Sequence, residues 1–254
     1  MSSKPIVHAD SRWMNTDWSS LSRKPLSADS GRGALHLIEH PLGVILERTY
    51  RHGGIRRLIL ADYFKANNRP AHEFAIHKKA HLAGIATPEP VGWGEIHSMP
   101  GIRRYFYYSR YLEGTRPLPQ CLNSDIAVES YLWQIALILW QLYNEDIYHH
   151  DLNLNNWLAD PKGKVYLIDF DKAQRGDPDR VRYLTRCLRR MVRSARRLGL
   201  SHRRSLFFRL TILCARQFDV DVRQVLAGIP IGEQNRRWYH RLVWKISGGH
   251  YHLN

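Results

Sequence analysis

Three things are scarce in this 254-residue chain: cysteine, acidic side chains and long apolar runs. The three cysteines, Cys121, Cys187 and Cys214, form no C-x-x-C pair, which argues against a zinc site or a disulfide framework and indicates reduced thiols. No run approaches the roughly 18 apolar residues that a bilayer crossing needs, and the N-terminal segment lacks the apolar core of a secretory signal. We therefore expect a protein that is cytosolic or peripheral to a membrane.

The scarcity of acidic residues leaves a large positive charge. The chain has 38 Lys and Arg against 23 Asp and Glu, which gives a net charge of +15. Such an excess favours anionic partners: nucleic acid, anionic lipid surfaces or phosphorylated glycans. Arginine predominates after residue 172, and its guanidinium binds phosphate through two parallel hydrogen bonds. A phosphate-bearing partner is therefore expected.

The stretch from His149 to Asp171 contains the polar groups that phosphoryl transfer requires. Asp151 stands five positions before Asn156, and Asp169 ends the short apolar strand that follows. Transfer from ATP needs a carboxylate that accepts the proton of the attacking hydroxyl, and an amide oxygen and second carboxylate that bind Mg²⁺. An ordinary turn rich in Asn would account for the loop by itself. It does not account for the presence of Asp151, Asn156 and Asp169 together at this spacing. The spacing therefore predicts Asp151 as the catalytic base and Asn156 and Asp169 as metal ligands.

Sequence periodicity places strands mainly in the first half of the chain and helices mainly in the second. Residues 1–30 are polar and read as an N-terminal arm or a short helix. Alternating and aromatic-rich patterns predict strands over residues 34–39, 44–50 and 105–112. Apolar residues at helical spacing predict helices over residues 69–82, 130–143 and 180–198.

This order of elements around the catalytic motif predicts an α+β, protein-kinase-like fold with two lobes. We expect residues 1–112 to form a small, β-rich, nucleotide-binding N-lobe that includes the N-terminal arm. Residues 113–254 are expected to form a larger helical C-lobe with the catalytic and metal loops and basic C-terminal helices. Glu113 and Gly114 end the aromatic strand, which suits a hinge at which Glu113 contacts the nucleotide.

A glycine-rich turn, Gly31-Arg32-Gly33, precedes the first of these strands. Because glycine has no Cβ, the backbone amides of such a turn can approach the phosphates of a nucleotide closely. Gly31 and Gly33 are therefore candidate nucleotide-binding residues. An ordinary turn explains the same pattern equally well.

Five segments of the chain resemble the bacterial lipopolysaccharide kinases. They are RTYRHGG at 48–54, EF at 73–74, HHDLN at 149–153, LIDFD at 167–171 and LRRMVRS at 188–194. The similarity runs from about Gly31 to Ser194. Its most specific part is the pair of catalytic and metal-loop segments.

This resemblance implies a kinase that uses ATP and Mg²⁺ to phosphorylate a sugar of the lipopolysaccharide inner core, with 3-deoxy-D-manno-octulosonic acid (Kdo) the first candidate. Such an enzyme is a phosphotransferase with an alcohol group as acceptor. The resemblance also implies a lipid-linked anionic glycan as partner, either Kdo-lipid A or the inner core, at the cytoplasmic face of the inner membrane. The positive charge agrees with this acceptor and with an anionic membrane surface, and no nucleic-acid partner is expected.

The chain departs from the kinase pattern at several positions. Arg48 stands best aligned with the strand lysine that binds the α- and β-phosphates, although the exchange is not conservative. Glu73 is then its helix partner; a solvated arginine and a surface glutamate are the alternative. His149 is expected to pack beneath the catalytic loop, and His150 replaces the Arg of H-R-D. Asp171 replaces the Gly of D-F-G, where it either adds charge near the metal or caps a turn.

Two other functions stay open at this point. A heptose kinase of the same pathway, or an aminoglycoside-type small-molecule kinase, has the same chemistry, because acceptor choice depends on loops outside the motif. The other is a catalytically inactive kinase fold that binds RNA or DNA through its Arg-rich helix. The complete set of Asp151, Asn156 and Asp169 argues against the inactive fold.

The helix predicted over residues 180–198 carries eight arginines, seven of them on the faces beside its apolar stripe. Near an anionic membrane, each basic residue contributes about 1 kcal/mol of attraction. We therefore expect this helix to lie on the C-lobe and to hold the protein reversibly at an anionic surface. A merely solvated charged face is the alternative.

Overall fold

The structure is a computed structural model that describes residues 5–14, 16–26, 35–52, 62–122 and 128–229. The glycine-rich turn with Gly31 and Gly33 lies outside these ranges. The C-terminal helices are predicted to continue to Asn254, and their part after residue 229 also lies outside these ranges.

An antiparallel sheet forms the N-terminal half of the described chain. Its strand order is β1-β6-β7-β4-β3-β2, and β5 also pairs with β7. The strands are β1 (Ile6–Ala9), β2 (Arg23–Leu26), β3 (Leu35–Ile38), β4 (Ile45–Thr49), β5 (Phe64–Lys65), β6 (Pro90–Met99) and β7 (Ile102–Arg110). In β4 the side chains alternate, so Leu46 and Arg48 share one face. That face borders the cleft described below.

The described residues before residue 27 do not form an arm, which corrects the sequence prediction for this part of the chain. β1 pairs with β6, and β2 pairs with β3. Between these two strands, Trp13 and Trp18 are buried in a small core with Tyr108. Each strand has only four residues, which is too short for a clear alternation, and only pairing with distant strands makes them part of the sheet.

The first long helix, α1 (Arg69–Leu82), confirms the prediction over the same residues. It has Pro70 in its first turn, a position that tolerates proline, and Gly84 follows its end with φ of 76°. Its buried face includes two polar residues, Glu73 and His77. Buried polar groups need hydrogen-bond partners. Other elements of the fold therefore supply the partners of these two side chains.

Helices and short hairpins form the remaining part. The helices are α2 (Leu118–Cys121), α3 (Val128–Asn144), α4 (Arg180–Arg197), α5 (Arg204–Gln217) and α6 (Val222–Ala227). Two small sheets accompany them: β8 (Arg116–Pro117) with β10 (Trp157–Ala159) and β11 (Val165–Leu167), and β9 (Ile147–His149) with β12 (Ala173–Arg175). The α+β class and the kinase-like arrangement are confirmed. The division into lobes at residue 112 stays a prediction.

The apolar face of α3 lies at the centre of the larger hydrophobic core. Ile135, Leu139 and Leu142 are buried there together with residues of α4 and α5. This core supports the short strand β9, which leads directly into the predicted catalytic loop. Among the described residues, no helix combines the length and the hydropathy that a bilayer crossing requires.

Candidate active site

A cleft of about 520 Å³ lies between the N-terminal sheet and the helical part. Residues from both sides line it, and several of them were predicted from the sequence. The structure brings four of the predicted site residues to this cleft: Arg48, Glu73, Asp151 and Asp169.

The predicted catalytic loop begins where β9 ends and is closed by its own side chains. Asn156 Nδ2 donates a hydrogen bond of 2.7 Å to the main-chain oxygen of Asp151. Asn153 Oδ1 accepts hydrogen bonds from the main-chain N–H of Asn155 and from Ser194 Oγ, each at 3.1 Å. Because Ser194 lies on α4 and also accepts from the N–H of Leu154, the loop is held firmly on that helix.

His149 packs beneath the loop, as the sequence predicts. The N–H of Asp151 donates to His149 Nδ1 at 3.3 Å, and His149 Nε2 lies 3.2 Å from the main-chain oxygen of Ile168. Burial lowers the pKa of His149, partly offset by Asp169 and Asp151. A neutral ring with its proton on Nε2 satisfies both contacts. His149 thereby connects the catalytic loop to the residue before Asp169.

A hairpin in the chain brings Asn156 and Asp169 close to each other. β10 and β11 are antiparallel with Trp157 opposite Leu167, so the residue before β10 and those after β11 lie at the same end. The N–H of Ile168 donates to the main-chain oxygen of Asn156 at 2.9 Å. Asp169 adopts a left-handed backbone with φ of 68°, a conformation that Asp tolerates better than most residues and that is frequent at functional sites.

The donor set at this point fits a hard cation. Asn156 is 0% exposed, and its Oδ1 has no hydrogen-bond partner in the described part of the chain. An orphaned amide oxygen beside a carboxylate suits Mg²⁺, which takes oxygen ligands and usually needs only one or two carboxylates, with water and phosphate completing its shell. No group of three or more His, Cys, Asp or Glu with metal-binding geometry occurs among the described residues, so an all-protein metal cage is not found there.

Arg48 connects the two sides of the cleft. Its Nη2 lies 2.5 Å from Glu73 Oε1, and its Nη1 lies 3.2 Å from Asp169 Oδ1. The guanidinium also lies over the rings of Tyr50 and Tyr107. Burial lowers the pKa of Arg48, but Glu73 and Asp169 more than compensate, so the pKa stays well above its usual value. Arg48 is therefore a permanent positive charge at the centre of the cleft.

Glu73 is the buried partner of Arg48, with 1% of its surface exposed. Burial raises its pKa to about 7; Arg48 opposes this rise, while Asp169 and Asp171 add to it. The hydroxyl of Tyr50 donates to Glu73 Oε2. Glu73 thus titrates near neutral pH while it holds the arginine.

Asp171 has a role that neither sequence alternative described. Arg69, the first residue of α1, binds its carboxylate with two hydrogen bonds, one of them 2.5 Å from Nε to Oδ1. This pair joins the start of α1 to the turn after Asp169. Arg69 was not predicted as a site residue. The available signal was its position four residues before Glu73, since that spacing puts both side chains on one helix face.

Glu113 does not line the cleft, which corrects the prediction that it contacts the nucleotide. It is exposed in a turn where Gly114 has φ of 68°. At this hinge the cleft is lined by Tyr111, Leu112 and Thr115 instead. The sequence signal indicated a chain reversal there but not which side chains face inward.

The site geometry can now be compared with known proteins. A family model described as the lipopolysaccharide kinase (Kdo/WaaP) family matches residues 11–209, which is most of the chain and includes the whole site. The chain belongs to this family. It is therefore a member of a phosphotransferase family, which confirms the kinase prediction and does not favour the inactive nucleic-acid-binding alternative.

Three proteins of similar sequence each match this chain over at least 173 residues. The 3-deoxy-D-manno-octulosonic acid kinase of Xylella fastidiosa strain M12 is 30% identical over 173 residues, which cover 65% of this chain and 69% of the relative. The protein of the same name from Vibrio parahaemolyticus is 27% identical over 177 residues, covering 68% and 71%. That from Vibrio cholerae is 24% identical over 203 residues, covering 77% and 86%.

A solved structure agrees with the fold. It is described as WaaP in complex with acyl carrier protein, and it covers 98% of this chain and 100% of its own, with a TM-score of 0.56. The sequence identity is 17%. This similarity therefore bears on the fold and not on the partner.

Proposed function

We propose that this member of the Kdo/WaaP family is an ATP-dependent kinase that phosphorylates a hydroxyl of Kdo in the lipopolysaccharide inner core. One observation carries the proposal: Asp151 and Asp169 line one cleft beneath an Arg48–Glu73 ion pair, and Asn156 closes the loop that presents Asp151. The names of the relatives support Kdo as the acceptor. No feature of the described residues favours heptose over Kdo.

In this proposal Asp151 orients the acceptor hydroxyl and accepts its proton. Its main chain is held on both sides, by His149 through its N–H and by Asn156 through its carbonyl. A carboxylate on a rigid loop keeps the geometry that an attacking oxygen requires. Positioning and charge stabilisation supply almost all of the catalysis in this reaction class.

Asn156 and Asp169 would hold Mg²⁺, which neutralises charge on the transferring phosphate when it is bound. Arg48 would bind the α- and β-phosphates of ATP in place of the usual lysine. Glu73 and the rings of Tyr50 and Tyr107 support Arg48 in a fixed orientation. The role of the Gly31 and Gly33 backbone in phosphate binding stays a prediction.

We also propose that the protein acts as a peripheral protein at the cytoplasmic face of the inner membrane. The support is the charge on the outer face of α4, where Arg189 and Arg196 are exposed. A lipid-linked, anionic acceptor would bring the enzyme to the same surface. The attraction of several arginines is enough for reversible attachment and too weak for permanent anchoring.

The acceptor can be identified by incubating the protein with Mg-ATP and each of three acceptors: Kdo-lipid A, a heptosylated core and a protein substrate. We expect Kdo-lipid A to gain a single phosphate, detected by mass spectrometry. Asp151→Asn is the control, because it keeps the shape of the side chain and removes the base. Phosphate on the heptosylated core alone would contradict the choice of Kdo, and phosphate on none of them would contradict the proposal as a whole.

A further inference from the structure

A second concavity adjoins Asp151 on the side of α4. This hollow has a volume of about 240 Å³. Its lining comes from the catalytic loop and from the last turns of α4: Asp151, Asn153, Asn155, Arg190, Arg193, Ser194, Arg197 and Leu198. Asp151 lines both the cleft and the hollow. The predicted base therefore lies between the concavity that suits a nucleotide and a second one, where an acceptor would lie.

Three arginines give the hollow its chemical character. Arg190, Arg193 and Arg197 follow one another at spacings of three and four residues, so they share one face of α4. Arg190 is half-buried and oriented by its neighbours: its Nε lies 3.3 Å from the hydroxyl of Tyr148 and its Nη2 lies 3.2 Å from His150 Nδ1. Burial lowers the pKa of His150, and Arg190 and Arg186 lower it further, so the ring is suited to accept from Arg190.

Among the described residues, these arginines lack the acidic partners that others on the same helix have. At the start of α4, Asp177 binds Arg182 at 2.6 Å and lies 3.6 Å from Arg186. Within the part of the chain that the structure describes, no carboxylate makes an ion pair with Arg190, Arg193 or Arg197. A cluster of like charges beside a catalytic loop is stabilised when an anion binds between them.

We infer that Arg193 and Arg197, with Arg190 behind them, bind an anionic group of the acceptor and so place its hydroxyl at Asp151. This inference rests on the proposed function, since it needs an acceptor that approaches from the α4 side. A sugar acid such as the one named for the relatives carries a carboxylate next to its hydroxyls, and a lipid-linked glycan can also carry phosphates. Guanidinium forks bind both groups in the same way. The hollow is thus a specificity site for an anionic acceptor.

The test compares a soluble sugar acid, its neutral methyl ester and a phosphate-bearing Kdo-lipid A, using the full chain. Arg193→Gln and Arg197→Gln remove one guanidinium each and keep a good helix former. Arg182→Gln is the matched control, with the same charge loss on the same helix but outside the hollow. Acceptor binding is measured by calorimetry without nucleotide, and KM for acceptor and for ATP is measured during turnover.

We expect the wild type and Arg182→Gln to prefer the acid over the ester by about tenfold or more, which is the effect of one charge-assisted hydrogen bond. Arg193→Gln and Arg197→Gln should lose most of that preference. In both variants the KM for the acid acceptor should rise, whereas the KM for ATP should stay unchanged. A preference that depends on the lipid phosphates instead would identify phosphate as the bound group and would also support the inference.

Two outcomes would overturn the inference that these arginines bind the acceptor. One is equal use of acid and ester by the wild type with no dependence on lipid phosphate. The other is an effect of the two variants that appears only with acceptors in anionic vesicles, since the arginines would then bind the membrane and not the acceptor. Acceptor binding without any phosphate transfer would contradict the proposed function and leave the specificity of the hollow supported.

Discussion

Nη2 of Arg48 lies 2.5 Å from Oε1 of Glu73, although 25 positions separate the two residues in the chain. The arginine on strand β4 is thereby held by the helix α1, in the arrangement that a strand lysine and a helix glutamate have in protein kinases. Because Arg48 also contacts Asp169, one guanidinium connects the sheet, the helix and the predicted metal loop. A nucleotide phosphate that binds Arg48 would therefore influence all three.

Replacing Arg48 with Ala should raise the KM for ATP by about tenfold or more, because a charged hydrogen-bond donor to the phosphates is lost. The KM for the acceptor should change little. Steady-state kinetics with each substrate varied in turn measure both values, and Arg175→Ala serves as a control at an exposed arginine outside the cleft. If ATP kinetics stay normal, Arg51, which also lines the cleft, becomes the better candidate.

Replacing Asn156 with Ala should raise the Mg²⁺ concentration needed for half-maximal activity, because one oxygen ligand is lost. The same change removes the hydrogen bond to the Asp151 carbonyl, so kcat should also fall. Asn156→Asp separates the two effects, since it keeps an oxygen ligand but loses the donor. A Mg²⁺ titration that is identical in Asn156→Ala and wild type excludes this residue from the metal shell.

The buried Glu73 should make stability depend on pH in an unusual direction for a carboxylate. Its pKa is raised from 4.5 to about 7 in the folded protein, so between these values the folded state binds more protons than the unfolded state. The free energy of unfolding therefore falls as pH rises from about 4.5 to 7, by on the order of 3 kcal/mol from this residue. Denaturant melts of wild type and Glu73→Gln should differ in slope over that range. Parallel pH profiles would show that Glu73 is not the cause.

The outer face of α4 should bind anionic vesicles at low salt. Reversing Arg189 and Arg196 to Glu, both exposed and outside the lining of the hollow, should weaken co-sedimentation. Raising salt should weaken it as well, because exposed charges are screened beyond about 8–10 Å at physiological ionic strength. Neutral vesicles are the control. Equal binding to neutral and anionic vesicles argues against electrostatic docking.

Trp13 tests whether the N-terminal residues are part of the folded core. It is 1% exposed and packs with the sheet, so Trp13→Ala should destabilise the protein by about 3–5 kcal/mol. Met14→Ala, next to it and exposed, should have little effect. Equal melting temperatures for the two variants would indicate that the N-terminal segment is an arm outside the folded core.

The sequence alone was sufficient to predict the loop and the hairpin that bring Asp151, Asn156 and Asp169 together, since that information is local. Asp151 and Asn156 belong to one short loop that their own hydrogen bond closes, and Asp169 follows one hairpin later. Side-chain chemistry and spacing determine such a loop almost independently of the remaining chain. The same reason explains why the helix over residues 69–82 was predicted with correct bounds.

Only the tertiary structure decided which distant groups meet. The ion pair between Arg69 and Asp171 joins residues 102 positions apart, and the short strand β1 is a strand only because β6 lies beside it. Glu113, in contrast, carries a plausible local signal and still does not line the cleft. The free energy that selects these pairings comes from burying surfaces and charges together, so it depends on which elements pack. A local pattern predicts that a residue is suited to a role, whereas packing determines whether a partner is within reach.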